Sequence, residues 1–229
     1  SGISTNKYLS NPSKVYFRYK YNYGNKFYYG FTAEKDEGEP IFKEKNKTGF
    51  DCYSFHLFWR KNSKWRAIAL GDYQVNLGQG LVLWSGFGFK KSTNTSFVKK
   101  EGSILKPFTS VNEYLYLRGA AFTYQLKDFS FTPFLSYKKV DANISYIDST
   151  ETGLESNRIQ VSGYHRTESE MAAKNAITEL KTGFNAQYRK RDKHIGLNVV
   201  YSNFSQALTF EQKSYNKFQF QGKNLIWKK

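Results

Sequence analysis

The feature that most limits the fold of this chain is an alternation of apolar and polar residues that recurs along the sequence. In the segment Val15–Tyr23 the odd positions are apolar or aromatic, and most even positions are polar. Because successive side chains of a β-strand point to opposite faces of a sheet, each such segment has one apolar and one polar face. The pattern recurs about nine times, and it predicts an all-β protein with about nine strands.

The connections between the predicted strands alternate between short and long. Tight turns are predicted at four places: Gly24–Asn25, Lys61–Ser63, Lys127–Asp128 and Lys190–Lys193. The connections after every second strand are much longer. Bacterial outer-membrane barrels have short periplasmic turns and long outer loops, whereas soluble sandwiches and propellers do not sort their loops in this way. The sequence therefore predicts an antiparallel up-and-down transmembrane β-barrel.

The length and the apolar stretches agree with a barrel and exclude membrane-spanning helices. The chain has 229 residues, enough for one all-β domain, and we assign residues 1–229 to a single β-barrel domain. Its longest apolar stretches, such as Gly80–Trp84, are far shorter than the roughly 20 residues that a membrane-spanning helix needs.

Aromatic residues make up 18% of the chain, and they suit both strands and the membrane interface. Those that flank the short turns predict an aromatic girdle at one membrane face, formed by Tyr21, Tyr23, Phe27, Trp59, Trp65, Phe129 and Tyr188. The alternative is that these residues form ordinary cross-strand aromatic pairs of hairpins.

The strand count predicts a piece of a larger barrel. Bacterial single-chain barrels have an even number of strands, and an open sheet would leave unpaired edges that lipid does not tolerate. The start of the chain, Ser1–Asn6, is polar and unlike an export signal. We therefore expect a barrel fragment that is truncated at both ends and located in the bacterial outer membrane, with lipid and lipopolysaccharide as partners.

The polar faces of the strands are predicted to line the barrel interior. The candidate residues of this lumenal face are Arg18, Lys20, Ser54, His56, Asp72, Gln74, Asn76 and Asn198. The chain carries 35 Lys and Arg against 19 Asp and Glu, a formal net charge of +16, which favours anionic partners such as lipid phosphates, acidic solutes or nucleic acid. The alternative is that these charges only solvate the ends of the barrel.

The sequence contains no arrangement that predicts catalysis. His56, His165 and His194 are scattered and lack the spacing of metal ligands. Ser54 and His56 share a strand face, but they are about 7 Å apart along the strand, too far for a direct hydrogen bond. Cys52 is the only cysteine, so no intrachain disulfide is expected. We predict no catalytic residues, no metal and no cofactor.

The second long connection contains a signal for a short helix. Thr167–Glu170 matches a capping box, and the following Met171–Ala176 suits a helix. Such a helix either lies on the surface or folds into the lumen as a partial plug. The loop and plug candidates are Gln79, His165, Arg166 and Glu170.

The first long connection is basic and aromatic. Phe87, Phe89 and Phe97 are interleaved with five lysines, Lys90, Lys91, Lys99, Lys100 and Lys106. Basic residues between aromatic residues can bind single-stranded nucleic acid. They can also contact lipopolysaccharide or form a solvated loop, so three interpretations stay open.

Four segments carry a resemblance to a known family. Gly71–Leu81, Val82–Phe87, Asn112–Ala121 and Tyr164–Glu170 resemble the barrel portion of a family of Bacteroidetes outer-membrane proteins labelled helix-hairpin-helix domain proteins. The resemblance extends from about the third to the eighth predicted strand. It implies an outer-membrane location and a poorly characterised activity. The small DNA-binding-type module that names the family is absent here, so the resemblance assigns DNA binding to no residue of this chain.

Together these observations predict a non-catalytic outer-membrane β-barrel protein for the passage or docking of polar or anionic solutes. In a channel, polar lumenal residues such as Arg18 and Lys20 would set an anion preference. The first alternative is a nucleic-acid binding or uptake component of the cell envelope. The second is a lipid-active outer-membrane enzyme, for which the sequence supplies no convincing catalytic set.

Overall fold

The structure is a computed structural model, and it describes residues 7–61, 63–84, 103–146, 154–209 and 220–228. Within these ranges the chain is almost entirely β-structure. The strands are β1 (Val15–Tyr23), β2 (Phe27–Lys35), β3 (Cys52–Arg60), β4 (Trp65–Leu77), β5 (Leu83–Trp84), β6 (Leu105–Pro107), β7 (Leu117–Leu126), β8 (Phe129–Val140), β9 (Ala142–Tyr146), β10 (Leu154–Ile159), β11 (Ile177–Lys190), β12 (Lys193–Leu208) and β13 (Gly222–Lys228).

The strands form one 13-stranded sheet with the order β1-β2-β3-β4-β7-β8-β11-β12-β10-β9, in which β13 also pairs with β12, and β5 and β6 pair with β4. The long strands follow one another up and down in antiparallel pairs, which confirms the predicted all-β meander. The exception is a short parallel pairing between β10 and β12. In the described part of the chain the sheet is open, because its pairing path ends at β1 on one side and at β9 on the other.

All four predicted tight turns are present. They join β1 to β2, β3 to β4, β7 to β8 and β11 to β12. The first turn has positive φ at both Gly24 (52°) and Asn25 (53°). Positive φ at two central residues matches the right-handed twist of the flanking strands, which is why the Gly-Asn pair was a reliable hairpin signal. The short strands β5, β6, β9 and β10 arise from the long connections and were not predicted.

The two faces of the sheet differ in polarity, and large apolar side chains lie on the exposed face. Along β8 the buried residues include Thr132, Ser136 and Lys138, whereas Leu135 and Tyr137 keep 50% and 66% of their surface exposed. On β12, Ile195 and Leu197 are likewise exposed, and Asn198 and Ser202 are buried. The sheet therefore presents apolar side chains outward, and its enclosed face mixes polar side chains with apolar ones such as Phe134 and Val200.

The second half of β4 and the residues around Leu105 fill the enclosed side of the sheet. β4 pairs with β3 only as far as Gly71, whose φ of +83° marks a bend, and then continues with β6 and β5 as neighbours. One apolar cluster contains Phe58 of β3, Leu77, Leu105 and Val200 of β12. Because four strands lie between β3 and β12 in the sheet, the sheet must curve around this segment.

The predicted helix is confirmed as a short element beside the sheet. The α-helix α1 covers Glu168–Ala173, and its capping box is complete: Glu170 N donates to Thr167 Oγ1 over 3.3 Å, and Thr167 N donates to Glu170 Oε2 over 3.1 Å. Met171 and Ala173 are buried, so the helix packs by one apolar edge. The residues described here include no helix of the length and apolarity that crossing a membrane requires.

Candidate functional site

A cluster of polar side chains lies at the end of the sheet opposite the tight turns. We call it the loop-end cluster, and its members are Glu39, Asn46, Asp51, Asp141, His165 and Lys174. Three of them come from the β2–β3 connection, Asp141 lies between β8 and β9, and the last two flank α1. Five are buried, and the side chain of Asp141 is 15% exposed. Residues from three separate connections therefore share one buried polar site.

His165 lies at the centre of the loop-end cluster. Both of its ring nitrogens and its backbone N–H are hydrogen-bonded to carboxylates. Its Nδ1 lies 2.5 Å from Asp51 Oδ2, and its Nε2 lies 3.0 Å from Asp141 Oδ2. Its backbone N donates to Glu39 Oε1 over 2.9 Å. A ring with a carboxylate at each nitrogen is held as an imidazolium that donates from both nitrogens.

The protonation of His165 follows from these contacts. Burial lowers the pKa of the imidazole, but the hydrogen bonds to Asp141 and Asp51 outweigh it and raise the pKa to about 10. For Asp51, burial raises the pKa, but His165 and Lys174 lower it by more. The pKa is therefore below its ordinary value, and the carboxyl group stays ionised. For Glu39, burial raises the pKa above its ordinary value. The site is thus a buried network of paired charges at neutral pH.

Lys174 closes the network from the end of α1. Its Nζ donates to Asp51 Oδ1 over 2.7 Å, to the Asp51 carbonyl over 2.9 Å and to Asn46 Oδ1 over 2.5 Å. Asn46 in turn donates to Asp51 Oδ1 over 2.7 Å. Asp141 Oδ1 accepts from the backbone N of Asn175 over 2.8 Å. The bonds of Lys174 and Asp141 join one connection to another, so the network fastens the long connections together.

A pocket of about 240 Å³ opens beside this network. Asp51, Asp141, His165 and Lys174 line it together with Glu113, Arg118 and the exposed Lys139. Burial and the neighbouring Asp51 raise the pKa of Glu113 to about 8. The walls therefore combine several carboxyl groups with several cations, which suits a polar ligand better than an apolar one.

Two sets of side chains have the geometry of metal ligands. Ligand atoms of Glu113, Asp141 and His165 lie within 4.8 Å of one another, and the same holds for Glu39, Asp51 and His165. His165 is common to both sets, and its two nitrogens are hydrogen-bonded to Asp51 and Asp141. A metal ion would have to displace one of those bonds and a proton, so the arrangement fits the present ion pairs better than a metal.

The loop and plug candidates have different environments. His165 is 2% exposed and belongs to the loop-end cluster. Arg166 stacks on Tyr164 with 4.1 Å between the guanidinium carbon and the ring centroid, and it pairs with Glu170 over 3.2 Å. Gln79 lies in a single turn of 3₁₀ helix, Gly78–Gly80. A Cβ at Gly78 would lie 3.8 Å from Asn198 Nδ2, so this turn reaches β12 inside the curve of the sheet.

The residues predicted to line a lumen divide by burial. Ser54, His56, Asp72, Asn76 and Asn198 are buried, Arg18 and Gln74 are half-buried, and Lys20 is exposed at the edge strand. Asn198 accepts a hydrogen bond of 2.7 Å from Asn185, and Asp72 accepts two from the Arg118 guanidinium, of 2.7 and 2.8 Å. Whether these residues face the lumen of a closed barrel stays a prediction.

The predicted girdle residues lie near the tight turns, and they also contact other aromatic rings. Tyr21, Tyr23, Trp65 and Phe129 are exposed, whereas Phe27, Trp59 and Tyr188 are half-buried. The Phe129 and Tyr188 ring centroids are 4.8 Å apart across β8 and β11. The girdle and the cross-strand pairs are compatible, and the girdle itself stays a prediction.

Of the five basic-loop lysines, Lys106 lies in β6, and Lys90, Lys91, Lys99 and Lys100 lie outside the described residues.

Sequence reasoning named only one member of the loop-end cluster, His165. It missed Asp51, which directly precedes β3, and Asp141, which directly follows β8. Both carboxylates lie at the same end of the antiparallel sheet. The strand boundaries alone could have predicted that they lie at this end.

Searches of family models, of curated proteins and of solved structures returned no match to this chain.

Proposed function

We propose that this chain is part of a bacterial outer-membrane β-barrel and that it docks polar or anionic solutes at its loop end without catalysing a reaction. The observation that carries the proposal is the apolar outward face of the sheet. Phe131, Leu135, Tyr137 and Ile195 are all exposed on strands whose other face is largely buried and partly polar. An exposed apolar patch of this extent marks a surface that contacts protein or membrane, and outward apolar strands are typical of barrels.

The loop pattern supports an outer-membrane orientation. Four tight turns lie at one end of the sheet, and the long connections lie at the other. In a barrel the tight turns would face the periplasm, and the loop-end cluster would face outward. The family resemblance of the sequence points to the same location. In lipid, the free edge of β1 would need a further strand as its partner, because unpaired backbone groups are costly there.

The interior favours docking over free passage. Tyr73, Val75, Leu77 and Leu105 form a buried apolar cluster on the enclosed side of the sheet, where an open channel would contain water. The loop-end pocket of about 240 Å³, by contrast, is polar. Lys139 at its rim and the buried Lys174 supply positive charge for an anionic solute. Passage would require the second half of β4 and the residues around Leu105 to move.

Membrane fractionation and solute binding test this proposal together. The expressed chain should fractionate with the outer membrane. After reconstitution it should show little steady ion conductance and should bind a small polyanion such as citrate, as measured by isothermal titration calorimetry. Lys139→Gln should weaken citrate binding, and the matched exposed substitution Lys193→Gln at the opposite end should not. A chain that fractionates with the soluble proteins, or citrate binding that is insensitive to Lys139→Gln, would overturn the proposal.

A further inference from the structure

A second cavity opens at the tight-turn end of the sheet, and its chemistry differs from that of the loop-end pocket. Its volume is about 540 Å³, within the usual range for small-molecule sites. It is lined by residues of the first two turns and by Ser103–Leu105. Because Leu105 lies on the enclosed side of the sheet, so does the cavity. We call it the turn-end cavity.

The floor of the turn-end cavity is apolar. Ala67 and Leu105 are 7% and 3% exposed, and both belong to the main apolar cluster. Ile104 packs against that cluster and stays partly exposed. The floor is continuous with the apolar core. An alkyl chain that enters the cavity would therefore leave water and pack against apolar side chains.

The rim of the turn-end cavity is basic. Lys26, Arg60, Lys61 and Arg66 surround the opening, and all four are exposed. The Arg60 guanidinium carbon lies 5.5 Å from the ring centroid of Phe58, a fully buried residue, so this side chain leans toward the enclosed side of the sheet. The described lining residues include no Asp or Glu. Lys26, Arg60 and Lys61, with no carboxylate among the described lining residues, make the rim complementary to an anionic group.

We propose that the turn-end cavity binds a single-chain amphiphilic anion, with the alkyl chain on the Ala67–Leu105 floor and the carboxylate or phosphate head at the basic rim. The apolar floor and the basic rim are both needed for this ligand class, since a small anion would leave the floor wet and a neutral lipid would leave the rim unused. The site lies at the opposite end of the sheet from the loop-end pocket. It does not depend on solute docking there.

Photocrosslinking locates the ligand directly. The chain is folded in vesicles of zwitterionic phospholipid and irradiated with decanoate that carries a diazirine at the end of its alkyl chain. Mass spectrometry should find saturable crosslinks on peptides that contain Ala67 or Ile104–Leu105. Unlabelled decanoate or decyl phosphate should compete, and the stronger of the two identifies the head group. Decylammonium should not compete. Crosslinks confined to outward residues such as Leu135 would mean partition into lipid only, and would overturn the site.

Variants separate the rim from the floor. Lys26→Gln combined with Arg60→Gln should weaken decanoate binding by about tenfold or more, because two charged partners are lost. Ser103→Trp should block the cavity and abolish the crosslinks to the floor, with the far-ultraviolet circular dichroism unchanged. The matched control is Lys190→Gln combined with Lys193→Gln, which removes two exposed charges from the β11–β12 turn at the same end. Equal loss of binding in the rim variant and this control would contradict a built site.

Discussion

The outward face of the sheet is apolar, whereas the enclosed face of the same strands mixes polar with apolar side chains. On β8 the outward face carries Phe131, Leu135 and Tyr137, and the enclosed face carries Thr132, Ser136 and Lys138. In a soluble domain these two sets would change places. The buried Lys138 is satisfied by backbone: its Nζ donates to the carbonyls of Tyr114 and Tyr116 over 2.7 and 2.9 Å. Under the proposed membrane location, lipid would surround this apolar outward face.

The largest expected effect comes from the buried charges of the loop end. Asp51→Ala leaves His165 and Lys174 buried without their shared carboxylate, and should lower the free energy of unfolding by about 3–5 kcal/mol. Chemical unfolding in vesicles measures this change. The matched control is Asp192→Ala in the β11–β12 turn, where the exposed carboxylate should matter by less than about 0.5 kcal/mol. Similar losses in both variants would show that the loop-end cluster has no special role.

A charge on the outward face should be costly only if lipid covers that face. Leu135→Arg in the middle of β8 should destabilise the protein by about 2–4 kcal/mol in vesicles, as expected near the middle of a bilayer. Leu126→Arg beside the β7–β8 turn is the matched control, and should cost about 0–1 kcal/mol because that position lies near the interface. Unfolding titrations of both variants measure the difference. Equal costs at the two depths would argue for water on both.

The ion pairs of His165 predict a dependence of stability on pH. The folded-state pKa of His165 is raised to about 10, from an ordinary value near 6.5. Its contribution to stability is therefore complete below about pH 6.5 and declines as the pH rises toward 10. The free energy of unfolding should fall over this range, and His165→Gln should flatten the decline while the Lys193→Gln control retains it. A wild-type profile that coincides with that of His165→Gln would contradict the paired imidazolium.

The smallest expected effect concerns the capping box of α1. Thr167→Ala removes the acceptor of the Glu170 backbone N–H and should cost about 1 kcal/mol. Thr167→Ser keeps the hydroxyl and should restore most of that stability. Protease cleavage within 164–176 measures local opening of this segment. Cleavage of Thr167→Ser as fast as that of Thr167→Ala would mean that the cap does not hold the helix.

The sequence was sufficient for the features that are encoded locally. The period of two residues identified the long strands, the turn residues at Gly24–Asn25 located the first hairpin, and Thr167 and Glu170 identified the helix start. Each of these signals depends only on residues that are close together in the chain. A single sequence is therefore enough to recognise it. The four short strands lack such a period, because each has only two to six residues and forms by pairing with distant segments.

The loop-end cluster and the turn-end cavity could not be derived in the same way. Asp51 and His165 are 114 residues apart, and Ala67 and Leu105 come together only because β4 turns inward after Gly71. That bend depends on a close approach: a Cβ at Gly71 would lie 2.4 Å from the carbonyl oxygen of Phe55. Sequence spacing carries no information about such contacts until the register of the strands is known.

Spin-label accessibility at Leu135 shows whether lipid covers the outward face of the sheet. In a Cys52→Ser background, a nitroxide is attached to Leu135→Cys on the outward face and, as the aqueous control, to Lys190→Cys at the β11–β12 turn. The protein in vesicles is then exposed to oxygen, which concentrates in lipid, or to a water-soluble nickel chelate. We expect that oxygen relaxes the Leu135 label and that the chelate relaxes the Lys190 label. Relaxation of the Leu135 label by the chelate, to the same degree as at Lys190, would contradict contact between the outward face and lipid.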